Sequence, residues 1–281
     1  MNRQSINILE QIHASYYQLT TAERKLADYV LANRNQVQFM SITQLADECG
    51  VAEATVSRFC RNLKLKGFNA FKLELSKQAG NSPQPQDVSP DTIGGRCAEV
   101  RRLAEEAIQQ TLELVSPDDI SRTMEFFEQA PHIMCIGSGG SMIMASECAH
   151  LFSTVAAKFY AVSDSHSQMA ATATMGQDDV IVLFSYSGAT TNGVQVLELA
   201  KSRGIRTILV TRFRKSPAAK LADVVLCCGS NEGPFQLGSV PARIAQLIVV
   251  DVLFQEYCSR NQDACKDSLQ RIAAALSDKH I

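Results

Sequence analysis

Residues Ser41 to Arg58 read SITQLADECGVAEATVSR, a spacing that predicts two short helices joined by a tight turn. Ser41 and Gln44 match a capping box, in which the serine oxygen and the glutamine side chain each satisfy an orphan backbone N–H at a helix start. Ala46 lies four residues before Gly50. A helix pair crossing near a right angle needs a small residue where the backbones approach and a glycine where the turn takes positive φ. Val56, six residues beyond Gly50, packs the second helix back on the first. A generic helical hairpin fits the same spacing, so the neighbouring residues decide.

The second helix is predicted over Glu53 to Leu63. Its 3.6-residue period puts Thr55, Arg58 and Asn62 on one face and turns Val56, Phe59 and Leu63 inward. Arginine can donate two hydrogen bonds to guanine, and asparagine can pair with adenine. Ser57 and Arg61 join these as candidate DNA contacts, and Lys64, Lys66 and Lys72 are placed to touch phosphates, which orient without carrying sequence information. Residues 1–80 carry ten Lys/Arg against seven Asp/Glu, although the whole chain is −2. Between positions 57 and 77 Arg58, Arg61, Lys64, Lys66, Lys72 and Lys77 face one acid, Glu74. Such a stripe suits a polyanion partner, and equally a solvated helix face if charge is taken alone.

The chain has 281 residues, enough for two average domains. Gly80 to Pro90 (GNSPQPQDVSP) holds three prolines and one large apolar residue, Val88, so no regular element persists through it. Domain limits of 1–79, a linker over 80–94, and 95–281 follow. Before the linker, Ile8, Ile12 and Tyr16, and then Leu26, Tyr29 and Val30, repeat at helical spacing, which predicts an all-α first domain. The N-terminus lacks the apolar block of a secretory signal, and the most apolar late segment, Ile244 to Phe254, is too short to span a bilayer. A cytoplasmic protein without membrane contact is expected. Its nine cysteines then read as free and mostly buried thiols, with no metal-ligand set and no cofactor.

After the linker, Ala98 to Leu114 and Asp118 to Gln129 read as helices. The period then changes, with short apolar runs at His132–Ile136, Lys158–Val162, Val180–Phe184, Thr207–Val210 and Val224–Cys227. Strands alternating with helices predict an α/β domain with a five-stranded, doubly wound parallel sheet. A helix from about Ala242 to Cys258 closes it. Because Ile244, Leu247, Ile248, Val250, Val252, Leu253 and Phe254 make that helix apolar nearly all round, it is expected to bury two faces, in a homodimer or dimer of dimers. A two-fold protein calls for a palindromic operator.

Two strand-to-helix junctions share a chemistry. Gly137-Ser138-Gly139-Gly140-Ser141 follows the first strand, and Ser185-Tyr186-Ser187-Gly188-Ala189-Thr190 follows the third. Each combines glycines, hydroxyls and the unpaired N–H groups of a helix start, a ready anion site at the carboxyl end of a parallel strand. The first loop is not a dinucleotide fingerprint, since Met142 stands where the third glycine would be, and no Gly-Lys-Ser/Thr of a Walker loop occurs.

Thr21-Ala-Glu-Arg-Lys-Leu-Ala-Asp-Tyr-Val, the helix-turn-helix, and Lys66-Gly-Phe-Asn-Ala-Phe-Lys-Leu resemble the N-terminal domain of the RpiR-type phosphosugar-responsive regulators. Residues 185–190, S-x-S-G-x-T, are similar to the phosphate loop of sugar isomerase (SIS) domains. The resemblance implies a transcription regulator in which operator binding responds to a phosphorylated sugar. It implies that Ser185, Ser187 and Thr190 hold the phosphate, with Ser138, Gly139, Ser141 and Tyr186 completing the ligand site and Ser141 at the sugar end. Asp164 and His166 fall in a pattern the family shares, which makes His166 a candidate for a sugar hydroxyl as well as for a structural histidine. Glu232 and Arg243 stand where relatives complete the pocket or the dimer interface. One departure is Ala52, where the family usually has a capping residue, at a cost of about 1 kcal/mol. The same fold hosts isomerases and ether-cleaving enzymes, and Glu232 or His166 could supply their base. The helix-turn-helix argues for a regulator instead.

Overall fold

The computed structural model describes residues 8–77, 92–230 and 240–277. The chain divides into two compact units, with the division falling inside a long helix between Val100 and Arg101.

The first unit is helical, with α1 Ile8–Ser15, α2 Thr21–Ala32, α3 Arg34–Val37, α4 Ile42–Cys49, α5 Glu53–Asn62 and α6 Phe68–Ser76. Thr20 and Glu23 form a capping box on α2, and Ser41 and Gln44 form the predicted one on α4. Gly50 takes φ +60°, as the turn requires. Ala46, Val56, Phe59 and Leu63 are buried in one core with Ile8, Ile12, Leu26, Val30 and Phe71. The inward set of α5 is therefore the one its period predicts.

The second unit begins in α7, Ile93–Leu114, followed by α8, Pro117–Gln129. Helix α7 starts five residues earlier than expected, where the Thr92 hydroxyl accepts a hydrogen bond from the Gly95 N–H at 3.0 Å. Then come β1 Ile133–Gly137, α9 Gly140–Ser153, β2 Phe159–Ala161, α10 Ser165–Thr174 and β3 Val180–Phe184. Next are α11 Thr191–Arg203, β4 Arg206–Thr211, β5 Val224–Cys227, α12 Val240–Arg260 and α13 Gln262–Leu276. Helix α13 lies beyond the helix expected to close the domain; it is mostly exposed, and Cys265 is its one buried residue.

All five strands are parallel, in the order β2-β1-β3-β4-β5. Side chains alternate between faces. Ile133, Cys135, Val180, Val182, Phe184, Ile208 and Val210 pack against α8, α9 and α12, while Met134, Ile136, Ile181, Leu183 and Leu209 pack against α11. The phenylalanines Phe127, Phe152 and Phe159 meet with ring centroids 4.4–5.5 Å apart and anchor α8 and α9 to the sheet edge.

Gly137 ends β1 where α9 turns back over it. A Cβ there would lie 2.7 Å from the Ser141 carbonyl oxygen and 2.9 Å from the Met142 nitrogen, both backbone atoms that cannot swing away. Gly137→Ala is expected to destabilise the protein by about 1 to 3 kcal/mol, the usual cost of overpacking. The urea midpoint checks this: an unchanged midpoint would mean that α9 moves freely against β1.

Candidate functional site

The helical unit carries the first candidate surface. Helix α5 has Thr55 and Ser57 half-buried and Arg58, Arg61 and Asn62 exposed, while Lys64 and Lys66 are exposed just beyond it. As the sequence suggests, Ala52 leaves α5 without a side-chain cap. Two of the three outward residues are already engaged by a carboxylate that sequence reasoning missed. Glu23 of α2 is 1% exposed, and its Oε1 accepts from Asn62 Nδ2 at 2.8 Å and from Arg58 Nε at 3.3 Å. Its Oε2 accepts from the Thr20 N–H at 3.0 Å and the Thr20 hydroxyl at 2.8 Å. One buried carboxylate thus ties the start of α2 to the outer face of α5. Asn62 gives one amide N–H to Glu23 and, being exposed, keeps a second N–H and its oxygen on the outer face, and Arg58 keeps its outer nitrogens, its side chain being 58% exposed.

Lys72 also has a local task. Its ammonium donates to the Met40 carbonyl at 3.3 Å and lies 5.3 Å from the Phe68 ring centre, which binds α6 to the segment before α4. Lys64 stands at φ +57°, and the Leu65 N–H donates to the Cys60 carbonyl behind it, closing α5. A left-handed lysine costs about 1 to 2 kcal/mol where glycine would be free, a cost that makes sense if the side chain is needed outside.

The second candidate surface lies at the carboxyl ends of the strands. Strand order 2-1-3-4-5 reverses direction between β1 and β3, and both hydroxyl-rich loops emerge there. In the first loop Ser138 and Gly139 are exposed and Ser141 is half-buried. Gly139 occupies the N-cap of α9 and has no side chain to offer. In the second loop Ser185 is buried, its hydroxyl 3.3 Å from that of Thr190. Thr190 is the N-cap of α11 yet makes no capping hydrogen bond. By contrast α10, which starts after β2, is capped by Asp164, which accepts from the Ser167 N–H at 2.8 Å. The two helices that start at the switch point therefore present N–H groups without side-chain caps, the arrangement that binds an anion.

The turn of the second loop depends on Gly188. It has φ +58°, and a Cβ there would meet the Ser216 side chain at 2.1 Å. Tyr186 donates its hydroxyl to the Ser230 carbonyl, which also accepts from Arg212 Nε at 3.0 Å. Ser187 is half-buried, and its oxygen lies 3.3 Å from the Ala189 N–H. Gln246, which interrupts the apolar run of α12, is 2% exposed and donates to the Ser141 hydroxyl at 3.3 Å. Its polar position in that apolar run was the available signal.

His166 is exposed in the first turn of α10, and Arg243 is half-buried on α12. Glu232 lies outside the described residues. Asp164 is committed to its cap, and the Ser167 N–H and hydroxyl hold its carboxyl below the usual range.

A family model for the helix-turn-helix domain of the rpiR family matches residues 6–82, and one for the SIS domain matches residues 126–255. An HTH-type transcriptional regulator of Caldanaerobacter subterraneus is 30% identical over 98% of this chain and 99% of its own. The chain belongs to the rpiR family of transcriptional regulators. It is also similar to HexR of Escherichia coli, at 28% identity over 98% of this chain and 96% of HexR. The structure of Vibrio vulnificus NanR complexed with ManNAc-6P superposes with a TM-score of 0.86, at 28% identity, over 98% of this chain and all of NanR. This rpiR-family protein is accordingly a DNA-binding transcription regulator with a SIS domain. No helix among the described residues is long and apolar enough to cross a membrane.

The Glu23 clamp makes a pH-dependent contribution. Burial alone would raise its carboxyl, but the Thr20 donors and Arg58 outweigh burial and hold it below the usual carboxylate range. A depressed folded-state value gives stability that is complete above the unfolded value and is lost as pH falls through the folded one. Glu23→Gln is expected to cost about 1 to 3 kcal/mol at neutral pH, with the gap to wild type closing under acid below the ordinary carboxylate range. Urea denaturation of both proteins at neutral and acid pH checks this. A gap that is absent, or constant with pH, would show that Glu23 contributes nothing as an anion.

Proposed function

We propose that this regulator reads operator DNA with α5 and that a phosphorylated sugar, held at the β1/β3 switch point, controls that reading. The observation that carries the proposal is the pair of hydroxyl loops leading into helix starts without side-chain caps. Phosphate suits the second loop, where Ser185, Ser187 and Thr190 offer hydroxyls around the first turn of α11. Ser138, Gly139 and Ser141 of the first loop then meet the sugar end, with Gln246 behind Ser141. Tyr186 supports the second loop from outside. His166 and Glu232 are further ligand candidates, the first exposed at the start of α10 and the second outside the described residues. The solved NanR relative, bound to ManNAc-6P, supports a ligand of this class.

No catalytic step is assigned. Isomerase chemistry needs a base beside the substrate carbon. Of the two candidate bases, His166 is exposed in the first turn of α10 and Glu232 lies outside the described residues, while the full-length relatives are named as regulators.

Domain limits of 1–79 and 95–281, with the linker 80–94 between them, complete the proposal, as does action in the cytoplasm where the DNA is. On α12, Leu247 is 39% exposed and Ile244, Ile248, Val252 and Phe254 are only partly covered, which favours a homo-oligomer and a palindromic operator.

Arg58 is assigned to a base edge, with Thr55, Ser57 and Arg61 beside it, and Lys64 and Lys66 to phosphates. Asn62, exposed and with a second amide N–H and its oxygen beyond the Glu23 bond, stays with the base-reading set, and Lys72 stays with the phosphate set while also donating to Met40. Arg58→Ala is expected to cost about 1 to 3 kcal/mol and relax sequence preference, while Lys66→Ala weakens all DNA alike and flattens the salt slope by about one. Gel shifts on operator and scrambled DNA across a salt series separate the two. An Arg58→Ala protein with unchanged preference would place the reading face elsewhere.

For the effector, a hydrogen bond to a charged group is worth about 1.5 to 3 kcal/mol, so Ser187→Ala is expected to weaken sugar-phosphate binding roughly ten- to a hundred-fold. Operator affinity without effector should stay the same. Identical effector titration curves for wild type and Ser187→Ala would remove the phosphate from this loop.

A further inference from the structure

Gln168, in the second turn of α10, is 1% exposed and fully used. Its amide nitrogen donates to the Gly137 carbonyl at 3.0 Å and to the Val162 carbonyl at 2.9 Å. Its amide oxygen accepts from Asn192 Nδ2 at 2.7 Å. An amide has two N–H donors, and both meet carbonyls, so the group has one orientation; a flip would set its oxygen against two carbonyl oxygens. Gly137 is where the first loop leaves β1. Asn192 lies in the first turn of α11, into which the second loop feeds. A single buried side chain therefore joins the roots of both loops.

We propose that Gln168 and Asn192 form a strut that sets the distance between the phosphate loop and the sugar loop, and so are positioning residues that determine which sugar phosphates fit. This deepens the proposed function and rests on its reading of the two loops. Neither residue needs to touch the ligand. The buried amide oxygen of Gln168 needs a donor in any case; what is particular here is that the donor, Asn192, stands at the root of the other loop. That third bond crosses from one loop root to the other. A ligand that touches both loops senses their spacing, whereas inorganic phosphate, small enough to sit on the second loop alone, does not.

The test is calorimetry on the full chain, with ManNAc-6P, glucose 6-phosphate and fructose 6-phosphate as sugar probes and inorganic phosphate as competitor. Asn192→Ala leaves the buried glutamine in place and Gln168→Met removes the strut, so failure of the second to fold leaves the first to decide. The expected result is a loss of about tenfold for the preferred sugar phosphate in either variant, the scale of a lost hydrogen bond, with the competing strength of phosphate changed less than about twofold. Unchanged sugar-phosphate affinity, or an equal loss for sugar phosphate and phosphate, overturns the strut while leaving the proposed function standing. If wild type binds none of the sugar probes, or if phosphate does not compete, the two-loop reading itself fails and the strut falls with it.

Discussion

Parallel pairing of β1 with β3 runs in register from Ile133 opposite Val180 to Gly137 opposite Phe184. Because the strands end level, the chain leaves both at the same height, and the two loops that follow start side by side. Their helices cannot share a face: α9 packs with Ile133 and Cys135, α11 with Ile181 and Leu183. A crevice between them is the geometric consequence. Everything in the proposed effector site depends on that pairing, since the hydroxyls, the glycine turn at Gly188 and the uncapped helix starts would have no common target if the strands were separated or offset.

The reading head depends on a different kind of contact. Its core is ordinary apolar packing, but the outer face of α5 is held by the buried Glu23 carboxylate, which accepts from Thr20, Arg58 and Asn62. A buried charge is tolerated only when its lone pairs are filled, and here four donors fill them. The clamp takes one donor each from Arg58 and Asn62 and leaves both side chains exposed. A helix without a side-chain cap at Ala52 thereby gains a fixed orientation from its far end. Most of the free thiols contribute packing, Cys97 being exposed, and burial pushes Cys60 up to about 12, far from any reactive range.

Contiguous features were legible in the sequence. The strand runs at Val180–Phe184 and Val224–Cys227 match the structure at both ends, and the capping box at Ser41 and the positive φ at Gly50 are local patterns with local causes. Both hydroxyl loops could be found because each lies within six residues. Contacts that join distant segments left no such trace. Glu23 meets Asn62 across 39 positions and Gln246 meets Ser141 across 105, and helical period says only which face such a side chain occupies. Lys72 shows the same limit from the other side: its charge suggests a phosphate, and nothing in the sequence signals that its ammonium also meets the Met40 carbonyl and the Phe68 ring.

The proposed site puts a sugar phosphate in the β1/β3 crevice with its phosphate on the loop of residues 185–190. A crystal structure of the full chain grown with its preferred sugar phosphate tests this most directly. The expected result is phosphate oxygens within hydrogen-bond distance of Ser185, Ser187 or Thr190 and of the first-turn N–H groups of α11, with the sugar toward Ser141. A phosphate bound away from that loop, or a sugar phosphate seated elsewhere on the protein, would contradict it.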